Sequence, residues 1–381
     1  MMERSLRENG SARNSNIEAL RILSMLTIVA HHYAAFGFSS EALALSRNKL
    51  FVDLLGMHVR TGVDLFVLIT GYYSVKSRLR LKKILTVLGS VWYYSLGMLA
   101  FFGLTGLLPI GYEEGREAVL PFLMGEYWFA SYYVLLLLLS PFLNILADGL
   151  DRKSHAALCL LLFTLCTVLP SLLGVSFAAG MLPLFAALYL CGAYLRLYMP
   201  EGAGRTGRRS LILALALLLL CVVRLSFVDL AGQRDGDLAR LENALSFMGV
   251  YSPWAFLLAV LLLLAACGRE PRHNRYVNRI GGLCFGVYLF HANPLFSALV
   301  WQGVFHTAAC TDSPLLPLHA LFTVAALFAA GCLIELLRQK TLAPLWDRAL
   351  DAVLPDLERA FSRTGALLLR AADKLVGREE E

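Results

Sequence analysis

Long apolar runs separated by short polar segments dominate the chain. Each run of about 20 residues is long enough to cross the ~30 Å of bilayer hydrocarbon as a helix, which satisfies its own backbone hydrogen bonds. Ten such runs are delimited, at 17–37, 58–75, 84–104, 127–147, 155–174, 178–198, 210–229, 246–267, 283–304 and 316–337. The pattern therefore predicts an all-α membrane protein with about ten transmembrane helices.

The basic residues between these runs predict the orientation of the protein. Lys and Arg are concentrated in every second loop, with clusters at 76–83, 205–209 and 269–279. Loops rich in Lys and Arg stay in the cytoplasm. We therefore expect both termini on the cytoplasmic side and a multi-pass protein.

Three segments follow from the same pattern. Residues 1–16 are polar and are predicted to form a cytoplasmic N-terminal segment, with no cleaved signal peptide. Residues 17–340 form the membrane domain. Residues 341–381 are predicted to form an amphipathic cytoplasmic tail, a pair of interfacial helices broken near Pro355. A helix that packs onto a partner is the alternative for the tail.

Composition excludes several classes of function. The residues are 58% hydrophobic and 16% charged, and the net charge is +6. The positive charge lies at the predicted cytoplasmic rim, where it suits anionic lipid headgroups and a phosphate-rich ligand, and nucleic acid is not a predicted partner. The eight cysteines form no C-x-x-C and no H-E-x-x-H is present, so no metal site is predicted.

The first apolar run carries two polar residues that a simple membrane anchor does not need. Arg21 and His32 are separated by ten residues, which places them roughly 16 Å apart along a helix. Titratable groups at membrane depth face a protein interior or a water-filled cavity, where they are often functional. The spacing predicts a reactive histidine at depth and an anion-binding arginine nearer the surface. The neighbouring His31 points about 100° away, and a structural or interfacial role is predicted for it.

Four motifs in order resemble the integral-membrane acyltransferase-3 family. The first is Arg21, ten residues and His32. The others are GVDLFVLITGY at 62–72, with Thr70 where the family usually has Ser, then YWFASYYVLLLLLSPFLN at 127–144 and FGVYLFHANP at 285–294. The resemblance covers about 15–340 and is nearest to the short form without a fused esterase domain. It implies a plasma-membrane enzyme that acylates saccharide hydroxyls.

The resemblance also implies roles for residues near the predicted cytoplasmic side and in the second run. His32 would be the catalytic base, and Asp64 would orient it, hold a sugar hydroxyl or form a structural ion pair. Arg21 would bind the phosphates of acyl-CoA, since guanidinium matches phosphate geometry. The basic cluster predicted either to assist it or to serve only as a cytoplasmic anchor comprises Arg78, Arg80 and Lys83. Its Arg80-x-x-Lys83 pair approximates a basic R-x-x-R motif of the family and departs from it in the last residue.

The remaining candidates are predicted to bind the acceptor. Glu126, Tyr127 and Trp128 lie at the mouth of the fourth run, where aromatic residues either form an interfacial belt or stack on sugar rings. His291 and Asn293 lie in the ninth run just before a proline. A polar pair beside a helix-kinking proline predicts the lining of a cavity.

The favoured function is therefore transfer of an acyl group, predicted to be acetyl, from acyl-CoA to a hydroxyl of a cell-surface or lipid-linked saccharide. Acyl-CoA is a co-substrate in this hypothesis, and no permanently bound cofactor is expected. Direct transfer is the simpler mechanism, because no cysteine or serine stands out as a nucleophile. The alternative is a membrane transporter or exporter of a glycolipid or polar solute, which would use the same polar residues as a binding site.

Overall fold

The prediction of an all-α protein is confirmed. The computed structural model describes residues 13–174 and 180–376, with side chains described as far as residue 359. It is 80% helical, and the described part contains no strand. Most of the predicted N-terminal segment, 1–12, and the last residues of the tail, 377–381, lie outside the described residues.

The helices follow the predicted apolar runs closely. The α-helices of the described chain are α1 (Ser15–Phe36), α2 (Ser40–Ala44), α3 (Lys49–Gly56), α4 (Val59–Ser74), α5 (Leu81–Thr105), α6 (Tyr112–Val119), α7 (Trp128–Gly149), α8 (Arg152–Phe163), α9 (Leu169–Leu173), α10 (Met181–Tyr198), α11 (Gly204–Asp235), α12 (Leu238–Glu242), α13 (Pro253–Cys267), α14 (Arg275–Gly281), α15 (Cys284–His291), α16 (Pro294–Leu299) and α17 (Leu316–Val376). Turns of π-helix occur at Thr164–Val168 and Val300–Val304, and 3₁₀ turns occur at Ser246–Met248 and Thr307–Cys310.

In the described chain, 7 helices are long and apolar enough to cross a membrane, or up to 9 if each bent pair is one span. One bent pair joins 275–291 to 294–304 at an angle of 68°. The predicted ninth span is therefore a broken helix rather than a straight one. The predicted second span is the helix α4, which has only 16 residues and is preceded by the short helix α3.

Hydrogen bonds join the basic loops at one end of the bundle. The backbone N–H of Ser15 donates to the carbonyl of Arg272 at 2.8 Å, and Asn144 Nδ2 donates to the carbonyl of Ser74 at 3.1 Å. We name this end the basic end, formed by 75–80, 150–151, 199–203 and 268–274. The loops that were predicted to share one side of the membrane therefore lie together.

The remaining loops meet at the opposite end, which we name the distal end. Lys49 Nζ lies 2.9 Å from Asp229 Oδ1, and Asn48 Nδ2 donates to the carbonyl of Ser313 at 2.9 Å. Successive spans thus run in alternating directions, as the distribution of Lys and Arg requires.

The short helix α4 lies at the centre of the bundle because glycines let its neighbours approach. A Cβ added to Gly71 would lie 2.1 Å from the carbonyl oxygen of Tyr189, and one added to Gly192 would lie 2.1 Å from that of Leu68. Small residues at such crossings allow backbones to pack closely in membrane proteins. On another face, Gly62 packs against α1, the helix that carries His32.

The prediction of a break near Pro355 is wrong. Helix α17 runs from Leu316 to Val376 and passes through Pro344 and Pro355. A proline removes only one backbone hydrogen bond, and the flanking residues are mostly strong helix formers. Packing on α5 adds support, since Trp346 Nε1 donates to the carbonyl of Leu85 at 3.3 Å.

Candidate active site

Two histidines predicted from separate motifs lie side by side. His32 lies in the last turns of α1, and His291 is the last residue of α15, where the broken helix begins to bend. Their ring centroids are 4.9 Å apart, and the rings are tilted by 48°. The fold therefore joins the first and the ninth predicted spans at these side chains.

A cavity of about 490 Å³ opens beside this pair towards the distal end. It is lined by His32, Phe36, Glu126, Trp128, Tyr288, Ala292, Pro294, Ser297, Ala298, Trp301 and Gln302. These residues come from α1, from the start of α7 and from the broken helix. A concave site with apolar walls and a few converging polar groups is the usual form of a small-molecule site.

Glu126 is the carboxylate of the cavity. Ser95 of α5 donates a hydrogen bond to one carboxylate oxygen, and Asn293 Nδ2 donates to the other at 2.8 Å. The pKa of the Glu126 carboxyl is raised to about 7, chiefly by burial and also by the nearby Glu117, while the hydrogen bonds from Ser95 and Asn293 lower it. The side chain is thus held in place and able to change charge near neutral pH.

Tyr127 and Asn293 hold the bend of the broken helix. The Tyr127 hydroxyl donates to the carbonyl of Leu289 at 3.1 Å and accepts from Asn293 Nδ2 at 2.9 Å. Asn293 also caps α16, since its Oδ1 accepts from the backbone N–H of Phe296 at 3.2 Å. Both side chains are buried outside the cavity lining, whereas Trp128 faces the cavity. Tyr127 and Asn293, which were predicted to bind substrate, therefore hold the cavity wall in place instead.

His291 was also predicted to bind the acceptor, but its side chain is fully buried and is not part of the cavity lining. Its Nδ1 lies 2.6 Å from the carbonyl oxygen of Val287, one turn earlier in the same helix. Of the two histidines, only His32 lines the cavity. His291 therefore contacts His32 rather than the space in which a substrate would lie.

Asp64 does not meet His32. Its Oδ1 lies 2.9 Å from Nε of Arg60, one turn earlier in α4, and both side chains are buried. Asp64 is also not part of the cavity lining. Of the roles predicted for Asp64, the geometry favours the structural ion pair, in which each buried charge compensates the other.

Arg21 points towards the basic end and already has a partner. Its Nη1 lies 2.9 Å and 3.1 Å from the two carboxylate oxygens of Glu18, which is buried against Gly281. The arginine side chain is 20% exposed, so an anion arriving from the basic end can still reach it. Sequence analysis missed Glu18, although a spacing of three residues on a helix is a signal for such a pair.

The cluster predicted to assist Arg21 is open to solvent. Arg78, Arg80 and Lys83 are exposed at the basic end, and within the described chain none of them forms an ion pair. Lys82 instead pairs with Asp351 of α17. The structure therefore places these residues on the same end as Arg21 without assembling them into one closed site.

Several cavity residues were missed by sequence analysis. Ser297, Trp301 and Gln302 follow the proline that starts α16. Ser297 and Trp301 are one helical turn apart and lie on one face, where Trp301 Nε1 donates to Ser297 Oγ at 3.0 Å. Part of this face lies in the π-helical turn Val300–Val304, and such turns often occur at functional sites. The signal was the helical spacing after the proline.

Together these features define a class: a multi-pass α-helical membrane protein with a polar cavity between its helices. A family model described as "Acyltransferase domain" matches residues 14–336. The chain therefore belongs to the acyltransferase-3 family, which confirms the resemblance of its four motifs and identifies the protein as an acyltransferase. Comparisons with curated proteins and with solved structures gave no match.

Proposed function

We propose that this acyltransferase transfers an acetyl group from acetyl-CoA to a hydroxyl of a cell-surface or lipid-linked saccharide at the plasma membrane. The observation that carries the proposal is the cavity itself, where a histidine, a carboxylate and an exposed tryptophan from distant parts of the chain line one space. These are the groups that activation and binding of a sugar hydroxyl require.

In this proposal His32 is the general base. It takes the proton of the acceptor hydroxyl while the hydroxyl oxygen attacks the thioester carbonyl carbon. The carbon–sulfur bond then breaks, and the thiolate of CoA receives the proton from His32. The products are the sugar ester and the CoA thiol, so atoms and charge balance without an acyl-enzyme.

The other polar groups of the cavity suit a saccharide. Trp128 offers an aromatic face on which the C–H side of a sugar ring stacks, and Trp301 is the second tryptophan of the lining. Glu126, Ser297 and Gln302 offer hydrogen-bond partners for hydroxyls. A ligand bound in this way has its hydroxyls within the space that His32 lines.

The donor would bind from the basic end. Arg21 lies roughly 16 Å from His32 along α1, at 1.5 Å per residue. Its guanidinium, together with Arg78, Arg80 and Lys83, suits the phosphates of CoA. The acyl-bearing arm of CoA would then extend between the helices towards the cavity.

The experiment uses the purified protein in nanodiscs with radiolabelled acetyl-CoA and the saccharide fraction of the host membranes. Wild-type protein should label the saccharide and release CoA thiol, and His32→Ala should not. His31→Gln is the matched control, because His31 is hydrogen-bonded to the carbonyl of Gly56 rather than placed in the cavity. Saccharide binding without any acetyl transfer would contradict the proposal and favour the transporter.

A further inference from the structure

The histidine pair contains two buried nitrogen atoms that face no partner. Among the residues that the structure describes, neither Nδ1 of His32 nor Nε2 of His291 has a hydrogen-bond partner. Leaving a buried polar atom unpaired is costly, so such atoms call for a functional explanation. Here the two atoms belong to adjacent rings, with centroids 4.9 Å apart.

The contact with Val287 fixes the tautomer of His291. Its Nδ1 lies 2.6 Å from a carbonyl oxygen, which only accepts hydrogen bonds, so Nδ1 carries the hydrogen. In a neutral imidazole the other nitrogen then carries the lone pair. Nε2 of His291 is therefore an acceptor, and it is buried next to His32.

Because Nε2 of His291 is an acceptor, a hydrogen bond to it also selects the tautomer of His32. If Nδ1 of His32 carries the hydrogen, Nε2 carries the lone pair. Since Nδ1 is the buried nitrogen, Nε2 is the one left for the cavity that His32 lines. The tautomer that pairs with His291 is thus the tautomer that a general base needs.

We propose that His291 is a positioning residue that acts through His32, by accepting a hydrogen bond from His32 Nδ1 with its own Nε2. The inference rests on the proposed function and assigns His291 a role other than contact with the acceptor. The terminal torsion of a histidine side chain has a broad energy well, so a rotation of the His32 ring brings its Nδ1 towards Nε2 of His291 at little cost while His291 keeps its contact with Val287.

The other polar neighbours of His32 are already engaged. His31 Nδ1 lies 3.0 Å from the carbonyl of Gly56. Glu126 is held by Ser95 and Asn293 on the other side of the cavity. His291 is the remaining polar neighbour, and its Nε2 has no partner among the described residues.

The proton transfers at His32 balance through one turnover. Nε2 of His32 receives the hydroxyl proton as the ester bond forms and the carbon–sulfur bond breaks. The positive charge of the imidazolium is then shared through its Nδ1–H with His291, and through His291 with the Val287 carbonyl. Nε2 returns the proton to the CoA thiolate, and His291 keeps its own proton throughout.

Two amide variants separate this role from a structural one. His291→Asn places its amide where Nδ1 was, so it retains the contact with Val287 and loses the contact with His32. His291→Gln places its amide near the former Nε2 and retains an acceptor for His32. We expect kcat to fall roughly 100-fold in H291N with little change in the acceptor KM, and to recover largely in H291Q.

The double variant H32A/H291N should be no slower than His32→Ala alone, because His291 acts through His32. A wild-type kcat in H291N, or a rise in acceptor KM with kcat unchanged, would overturn the proposed positioning role of His291. A fully active H32A would instead overturn the proposed function, so the two failures are distinguishable.

A second measurement needs no substrate. Diethyl pyrocarbonate acylates the lone pair of a neutral imidazole, and peptide mass spectrometry gives the rate at His32. This rate should be similar in the wild type, in H291Q and in the control His31→Gln, and roughly tenfold lower in H291N, where the tautomer is no longer selected. Equal rates in H291N and H291Q would count against the proposal.

Discussion

The two ends of the bundle show two ways of preparing to bind a substrate. At the distal end, α1, the start of α7 and the broken helix bring side chains into one cavity, and Glu126 is fixed by hydrogen bonds from Ser95 of α5 and from Asn293 of the broken helix. At the basic end, Arg21 is paired with Glu18, and Arg78, Arg80 and Lys83 lie exposed.

The difference corresponds to the chemistry of the proposed ligands. A saccharide ring is recognised by shape and by hydrogen-bond partners whose positions are fixed before it binds. A polyanion such as CoA is attracted by charges that remain solvated until it arrives. The distal end is therefore a formed site, and the basic end is a charged surface.

The sharpest test of this comparison concerns which end faces the cytosol. Single cysteines replacing Lys153 at the basic end and Gln233 at the distal end, in a background without the eight native cysteines, should label oppositely with a membrane-impermeant thiol reagent. Gln233→Cys should react in intact cells, and Lys153→Cys only after lysis. The reverse pattern would place the basic end away from acetyl-CoA and contradict the proposed donor site.

The largest expected loss of activity is that of His32→Ala. Removing the base should lower kcat roughly 1,000-fold, while expression and membrane insertion stay close to wild type. Acetylation of the saccharide fraction is the measurement. Comparable losses in His31→Ala would show that the wrong histidine of the pair had been assigned.

Glu126→Gln should have a smaller and pH-dependent effect. Since the pKa of Glu126 is raised to about 7, the wild-type carboxyl loses its charge as the pH falls from about 8 to about 6. The acceptor KM should rise over this range, because a protonated carboxyl accepts fewer hydrogen bonds. In E126Q the acceptor KM should be about tenfold higher at the upper pH and should not vary with pH.

A pH-dependent acceptor KM that persists in E126Q would assign the titration to another group. Asn293→Asp is a useful companion variant, because it places a second carboxyl beside Glu126 and replaces a donor with an acceptor. Like charges at this distance should shift the pH dependence towards higher pH.

An effect of similar size, but on the donor alone, is expected for Arg21. Arg21→Ala should raise the KM for acetyl-CoA about tenfold and leave the acceptor KM unchanged, because Arg21 lies towards the basic end and does not line the cavity. Arg21→Lys should recover part of the loss, since an ammonium lacks the guanidinium fork. Arg116→Ala, an exposed arginine at the distal end, is the matched control. An unchanged donor KM in both Arg21 variants would make Arg21 a structural partner of Glu18.

Much of this arrangement was readable from the sequence because it depends on local pattern. Apolar runs fixed the helices, and the spacing of Arg21 and His32 placed them towards opposite ends of α1. The proline after Asn293 indicated the broken helix. These features depend on period, length and single residues, which a sequence displays directly.

The pairings across helices were not readable in the same way. Ser95 holds Glu126 from α5, and Asp64 turns to Arg60 rather than to His32. Which buried polar group meets which depends on how the helices rotate and cross, and close contacts such as Gly71 against Tyr189 decide that only in the folded state.

Helix α17 connects the distal end of the bundle to the basic end. Its 61 residues span ~90 Å, about three times the hydrocarbon thickness of a bilayer. Near its start, His319 Nδ1 lies 2.9 Å from the hydroxyl of Tyr33, the residue next to His32. Further along, Trp346 and Asp351 contact α5 at the basic end. The helix therefore connects the residue beside His32 at the distal end to the start of α5 at the basic end, the two regions that the proposed reaction must use together.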